Sequence, residues 1–186
     1  FGKVFTYDFL VTLRKESALK DAGFQRLMDA PEQVTSYLPV QQERISLDVD
    51  GQSYDVYLFV PEDEARLDNF IDLHERKSGA AVPLTDDGVV ITEKLSGEGI
   101  YGFAMNLKNG YRLTLENGEG REGTFTVTGV AENYVENYVY MTPSVYEDAY
   151  GSALEYNSVL GILPDDAQDV DEAFSTSLLE VDGVAG

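Results

Sequence analysis

The sequence predicts an α+β fold, a split ferredoxin-like sandwich (β-α-β-β…α-β) that carries a small inserted β-rich lobe. The first sixty residues read in order as strand, helix, strand and strand, and the residues from 143 onward read as helix, strand and helix. Between these parts, short runs alternate apolar and polar residues with the period of strands. We therefore expect residues 1–60 and 143–186 to form the sandwich and residues 61–142 to form the inserted lobe.

A weak internal repeat supports this division. Leu27-Met28 is followed by a turn and Val34, and Leu178-Leu179 is followed by a turn and Val184. Each stretch reads as the end of a helix that turns into a strand. Two such units are what a β-α-β-β-α-β sandwich requires.

The N-terminal segment begins with a strand and a helix. Apolar residues occupy every second position from Phe5 to Leu13, which is typical of a half-buried strand. Ser17 can cap the helix that follows, and Pro31 prevents that helix from continuing. A strand and a helix at the start of the chain are therefore expected.

A β-hairpin and a mixed segment follow. Ile45, Leu47 and Val49 alternate with polar residues up to Asp50-Gly51, which is a hairpin turn signal. The return strand follows and is formed by Tyr54, Val56, Leu58 and Val60. Beyond the hairpin we expect a short helix near Arg66–Leu73 and then an irregular loop.

The middle of the chain reads as a compact β unit. Val89–Thr92 predicts a short strand, and Glu93–Leu95 predicts a helical turn. Tyr111–Leu115 and Phe125–Val127 predict two strands on either side of a glycine-rich loop.

The C-terminal part predicts a helix, a strand and a second helix. Thr142-Pro143 is a helix start, because Thr can cap and Pro suits the first helical position, and Gly151 stands where a C-terminal cap belongs. Ser158–Leu163 is a short apolar strand. The last helix is expected to begin near Asp165-Asp166. Its apolar stripe consists of Ala167, Val170, Phe174, Leu178 and Val181.

Composition excludes several functions. The 186 residues include 34 acidic and 13 basic side chains, a net charge of −21, which argues against binding to nucleic acid or anionic lipid. The chain has no Cys and one His, so an ordinary zinc site is nearly excluded, and we predict no cofactor. Its longest apolar stretches, such as Val56–Val60, are far shorter than the ~18 residues that cross a bilayer. Because the chain begins at Phe1, we expect it to be processed or excised from a longer protein.

Three local patterns could carry chemistry, and each has a structural interpretation that we favour. Gly118–Gly123 matches G-x-G-x-x-G, but it lies between two strands and contains glutamates that would repel a pyrophosphate, so a hairpin is expected. His74 has no nucleophile elbow or second His to complete a catalytic set, so we expect a structural role. The acidic clusters at Asp48–Asp55, Asp86-Asp87 and Asp165–Glu172 read as hairpin, turn and helix cap rather than as metal sites.

Tyrosine is unusually frequent, with 12 residues and no Trp. Glu132-Asn133-Tyr134 and Glu136-Asn137-Tyr138 repeat at a spacing of four, which indicates a tight corner between two strands. Tyr134 and Tyr138 are the candidate binding surface. The alternatives are tyrosines that lock the corner to its neighbours, which we favour, and exposed tyrosines that grip cargo.

Several segments together resemble the FtsX-like, MacB-related permeases of bacterial ABC transporters. The first is Asp86–Leu95, which reads DDGVVITEKL. The second is Val127–Tyr134, which runs into Tyr138–Pro143. The others are Tyr156-Asn157 before the strand Ser158–Leu163, and the terminal Leu178–Val184. The pattern departs from the family over residues 96–111, where Gly97-Glu98-Gly99 interrupts the helix and Gly110-Tyr111 replaces a Gly-Asp pair.

The resemblance implies a non-catalytic extracytoplasmic domain between two membrane helices, on the extracytoplasmic face of the bacterial cell membrane. It also implies a second permease copy and a cytoplasmic ATPase subunit as partners, together with an unidentified cargo. The domain would engage cargo or a partner, or transmit motion from the membrane helices. The alternatives are a secreted binding module and a small hydrolase.

Overall fold

A computed structural model places eight strands in one mixed sheet over the residues that it describes, 4–49, 51–96, 107–133 and 136–186. The order of the strands across the sheet is β1-β8-β2-β3-β7-β4-β6-β5. None of the described helices is both long and apolar enough to cross a membrane. The strands are β1 (Phe9–Thr12), β2 (Ser36–Val49), β3 (Gln52–Pro61), β4 (Val89–Thr92), β5 (Arg112–Glu116), β6 (Glu122–Ala131), β7 (Tyr138–Tyr140) and β8 (Ser158–Ile162).

Helices are short and connect or cover the strands. Two 3-10 helices, Glu16–Lys20 and Glu64–Asn69, precede and follow the β2–β3 hairpin. The α-helices are α1 (Ala22–Met28), α2 (Glu93–Ser96), α3 (Pro143–Tyr150) and α4 (Glu172–Leu179).

The two ends of the chain form the expected split sandwich. β8 pairs antiparallel with both β1 and β2, so β1 and β2 run parallel with β8 between them. An antiparallel bridge between Leu13 and Val184 adds the chain end at the outer side of β1. The units β1-α1-β2 and β8-α4-Val184 therefore interleave as a β-α-β-β-α-β sandwich does, and the predicted α+β fold class is confirmed.

One hydrophobic core joins the N-terminal and C-terminal segments. Val11 on β1 lies in the same buried cluster as Phe174 and Leu178 on α4. The rings of Phe9 and Phe174 meet edge to face with centroids 6.3 Å apart. The apolar faces of the first strand and the last helix thus cover each other, as the sequence predicts.

β3 extends the sheet beyond the sandwich. It forms a ten-residue antiparallel ladder with β2 on one side and pairs in parallel with β7 on the other. The sheet therefore passes without a break from the sandwich strands into β7, β4, β6 and β5. The division into residues 1–60 with 143–186 and residues 61–142 stays a prediction.

The β2–β3 hairpin presents different chemistry on its two faces. One face buries Val56 and Leu58 in a core shared with β5, β6 and α3. On the other face Phe59 is buried under the segment that contains Phe70 and Ile71, whereas Asp55 is exposed. The second face is therefore covered near Phe59 and open to solvent towards the hairpin turn.

The first strand is shorter than the alternation of the sequence suggests. The backbone N–H groups of Thr6 and Tyr7 donate to the carbonyl of Phe70, and Phe5 pairs with Ile71 instead of continuing β1. The ring of Phe5 packs against Tyr138 at 5.7 Å. Period two alone does not reveal that this half of the run pairs with a different partner.

Three helix predictions need correction. Asp21, not Ser17, caps α1, because its carboxylate accepts the N–H groups of Gly23 and Phe24 after a separate 3-10 helix. The segment near Arg66–Leu73 is a 3-10 helix that ends at Asn69, since the next residues pair with neighbouring backbone. The final helix begins at Glu172 rather than at Asp165.

Other local predictions are confirmed. The Thr142 hydroxyl accepts the N–H of Val145 at the start of α3, Pro143 takes the first helical position, and Gly151 ends the helix in the left-handed region at φ 68°. β5 and β6 form a hairpin across the glycine-rich loop, so G-x-G-x-x-G is a turn here. β4 and the helical turn α2 also lie where expected.

We predict that Phe174→Ala lowers the free energy of unfolding by about 3–5 kcal/mol, because it removes a buried ring and leaves a cavity beside Phe9. Leu179→Ala on the same helix is the matched control, since Leu179 is 54% exposed, and we expect a loss below about 1 kcal/mol. Urea unfolding measures both variants. Equal, small losses would contradict a shared core of the two chain ends.

Candidate functional site

Three stacked tyrosine rings lie on the sheet face that also carries Phe59, at the boundary between its buried part and its solvent-exposed part. Tyr138 and Tyr140 on β7 stack at 5.5 Å with an interplanar angle of 17°. Tyr57, the register partner of Tyr138 on β3, stacks on it at 5.5 Å and 29°. These cross-strand and same-face neighbours form the Tyr138 stack, which consists of Tyr57, Tyr138 and Tyr140.

The stack passes from the interior to the surface. Tyr140 is 1% exposed and packs against Phe59, whereas Tyr138 and Tyr57 are half-buried. Burial raises the pKa of Tyr138 to about 12, so its hydroxyl stays neutral at physiological pH. The Tyr140 hydroxyl is buried and has no hydrogen-bond partner among the described residues.

Charged side chains border the outer end of the stack. Arg44, the β2 register partner of Tyr57, holds the Asp55 carboxylate at 2.5 Å. Glu136 is exposed and adopts φ 61°, a left-handed conformation that is uncommon outside glycine. The stack therefore ends at a surface of aromatic area and carboxylates.

One of the two predicted site residues lies among the residues that the structure describes. Tyr138 lies in the stack, and Tyr134 lies outside the described residues. The corner residue Asn133 is 3% exposed, and its side chain donates to the Glu136 carbonyl at 3.5 Å. A buried Asn bonding nearby backbone is what the corner interpretation expects.

Sequence reasoning missed Tyr57, which lies 81 residues before Tyr138. The sequence does show which face of the strand carries Tyr57, because a strand that buries Val56 and Leu58 on one face places Tyr57 on the other. The alternation does not show which strand lies beside β3 in the sheet. The parallel pairing of β3 with β7 supplies the contact.

His74 forms a second polar cluster, buried where the segment after β3 meets the end of β6. Its Nε2 lies 2.5 Å from Glu132 Oε2, and its Nδ1 lies 3.1 Å from the Asp72 carbonyl and 3.3 Å from the Asp72 carboxylate. The backbone reinforces the pair, since the Glu132 N–H donates to the His74 carbonyl. The sequence does not predict this partner, because Glu132 is 58 residues from His74 along the chain.

Both ring nitrogens of His74 are held by acceptors. Among the described residues its ring bonds go to Asp72 and Glu132, so neither nitrogen faces a hydroxyl nucleophile. Burial by itself lowers the pKa of His74, but the hydrogen bond to Glu132 and the charge of Asp72 outweigh it and raise the pKa above its ordinary value. The arrangement suits an imidazolium that ties two elements together better than a general base.

A cleft of about 520 Å³ is lined in part by Glu75 and Arg76, which follow His74 in the chain. Glu93, 3% exposed, lines it and is held by the guanidinium of Arg76 through both carboxylate oxygens. Lys77 and Lys108 lie at its exposed side.

Two of the three acidic clusters make structural hydrogen bonds, whereas Asp171, the N-cap residue of α4, makes no side-chain cap bond, so the helix-cap interpretation of Asp165–Glu172 is wrong. Asp48 accepts the Ser53 hydroxyl across the hairpin, and Asp86 accepts the Thr142 hydroxyl. Within residues 4–49, 51–96, 107–133 and 136–186, no group of three or more His or acidic residues is placed to hold a metal ion.

Two solved structures share this fold over nearly the whole chain. The periplasmic region of MacB from Actinobacillus actinomycetemcomitans matches with a TM-score of 0.51 and 14% identity, over 93% of this chain and 80% of that chain. The extracellular domain of YknZ, an ABC-type transporter of Gram-positive bacteria, matches with a TM-score of 0.50 and 9% identity, over 91% and 89%. No family model and no curated protein sequence matches the chain. The chain therefore has the fold of these two domains, as the resemblance predicted.

We predict that His74 stabilises the fold most at low pH. Because its pKa in the folded chain exceeds 6.5, its contribution is complete below pH 6.5 and is lost as the pH rises through the folded-state pKa. Each pKa unit between folded and unfolded states corresponds to about 1.4 kcal/mol.

Urea unfolding of the wild type and His74→Gln between pH 5.5 and 8.5 measures this contribution. The stability difference should be largest at the acidic end and should shrink at the alkaline end. The single imidazole can be titrated directly by NMR, and a pKa at or below 6.5 would contradict the prediction.

Proposed function

We propose that this chain is a non-catalytic extracytoplasmic domain of an ABC transporter permease, which engages a partner or cargo or transmits motion from membrane helices. The observation that carries the proposal is its fold, which matches the periplasmic region of MacB and the extracellular domain of YknZ over more than nine-tenths of the chain. At 14% and 9% sequence identity these matches show a shared fold, and the role of the domain is proposed from that fold.

The position of the family-like segments agrees with this proposal. Val89–Thr92 is β4, Val127–Asn133 contains the end of β6, and Tyr138–Pro143 contains β7 and the start of α3. β7, β4 and β6 are neighbours in the sheet, so these segments pack together. Their similarity to the permeases is therefore similarity in residues that build the sheet, and any cargo contact belongs to more exposed positions.

The polar chemistry supports a non-catalytic role. The one His is engaged on both sides by acceptors, and the buried Glu93 is paired with Arg76. A hydrolase needs a base within reach of a nucleophile or water together with a group that stabilises the developing charge. The His74 Nε2 atom is bonded to Glu132 and is therefore not placed to act as a base. This supports partner binding or mechanical coupling as the role of the domain.

The continuous sheet supports mechanical coupling. Inter-strand hydrogen bonds connect β1 at one edge to β5 at the other through six intervening strands. A displacement applied at the sandwich would therefore move the far hairpin with it, since cores with native packing transmit strain.

The full coding sequence tests the assignment. We expect an apolar stretch of about 20 residues on each side of this segment and a neighbouring gene for an ATPase. A cleavable signal peptide before it and no membrane span after it would contradict the permease assignment and favour a secreted binding module.

The non-catalytic part has a separate test. A screen of ester, peptide and glycoside substrates should show no turnover above a His74→Ala preparation purified identically. Turnover that persists through purification and disappears in His74→Ala, with folding verified by circular dichroism, would overturn this part of the proposal.

A further inference from the structure

We propose that the open face of the β2–β3 hairpin beside Tyr57 and Glu136 is a docking site for a basic segment of a partner protein, with a lysine or arginine side chain packed on the Tyr57 ring. This inference specifies the partner-engaging role within the proposed function.

The first support is the abrupt end of the cover over this sheet face. Along β3, Phe59 is buried, Tyr57 is half-buried and Asp55 is exposed, all on the same face. Across the ladder Arg44 is also exposed. The opposite face of the hairpin is in the core, so the hairpin is held rigid while this surface remains open.

The second support is the orientation of the aromatic rings. Tyr138 stacks on Tyr140 and on Tyr57, so Tyr57 is the outermost ring of the stack. A cation over a tyrosine face is attracted by the ring quadrupole at distances up to about 6 Å. A ring already fixed by stacking loses little side-chain entropy when a partner packs on it.

The third support is the pair of carboxylates at the rim. Asp55 is engaged by Arg44, whereas the exposed Glu136 holds a left-handed backbone at φ 61°. Such a conformation is strained in a residue other than Gly and occurs preferentially at functional sites. The Asn133 side chain donates to the Glu136 carbonyl at 3.5 Å, and Glu136 lies two residues before Tyr138 in the chain.

Charge decides which partner fits. With a net charge of −21, a second copy of the chain, an acidic protein or an anionic membrane would be repelled on approach. A basic segment would be steered towards the chain and would find both an aromatic face and carboxylates at this surface. The occupant is therefore a lysine- or arginine-containing peptide segment.

A peptide-binding assay on the isolated chain tests the aromatic contact. The probe is a blocked synthetic peptide of four Gly-Lys repeats, with four Gly-Glu repeats as the charge-reversed control, measured by calorimetry at low salt. Tyr57→Leu should raise the Kd for the lysine peptide at least fivefold. Tyr111→Leu is the matched control, because Tyr111 is 40% exposed elsewhere, and it should change the Kd less than twofold.

Neutralised carboxylates test the position of the charge. Asp55→Asn with Glu136→Gln should raise the Kd at least fivefold, whereas Asp165→Asn with Asp166→Asn removes the same charge elsewhere on the surface and should change it less than twofold. Thermal melting verifies that all variants fold. Equal weakening by both charge variants, an unchanged Kd in Tyr57→Leu, or no binding of the lysine peptide would overturn the docking site. Because the assay uses the chain alone, that outcome would leave the transporter assignment to its own genetic test.

Discussion

The fold depends on β3 being paired along both edges. Its antiparallel ladder with β2 attaches it to the sandwich, and its parallel pairing with β7 attaches the rest of the sheet. The two faces of β3 pack into different hydrophobic clusters, since Val56 and Leu58 belong to one and Phe59 belongs to another. The second half of β3 is buried on both faces and is paired on both edges at Tyr57–Phe59, so it cannot change register without exposing apolar area.

Two cations of this acidic chain, Arg76 and His74, are paired with buried carboxylates. Glu93 and Glu132 are buried, and a buried carboxylate without a partner is strongly destabilising. Arg76 and His74 supply the counter-charges, and both belong to the segment between β3 and β4. Two ion pairs thereby fasten that segment to the sheet, and one of them titrates with a histidine.

The Tyr138 stack has a buried inner ring and an outer ring at the proposed docking surface. Its inner ring, Tyr140, is buried with β3 and β4, and the permease-like segments around it build the sheet. Its outer ring, Tyr57, belongs to none of those segments and lies at an open surface. The permease-like segments therefore surround the inner part of the stack, and the docking site is proposed at its outer part.

The sequence by itself determined the features whose causes lie within a few residues of one another. The hairpin around Gly51, the capped helix from Pro143 to Gly151 and the turn at Gly118–Gly123 follow from local backbone preferences. Only the tertiary structure decided the partners: β7 beside β3, Glu132 beside His74, and Phe70 beside the residues that precede β1. The α+β class was predictable because the period of the apolar residues distinguishes helices from strands and indicates which face of each is buried. The contact between Tyr57 and Tyr138 was not predictable. The two residues meet because β3 and β7 are neighbours in the sheet, and the local pattern of residues does not show which strands become neighbours.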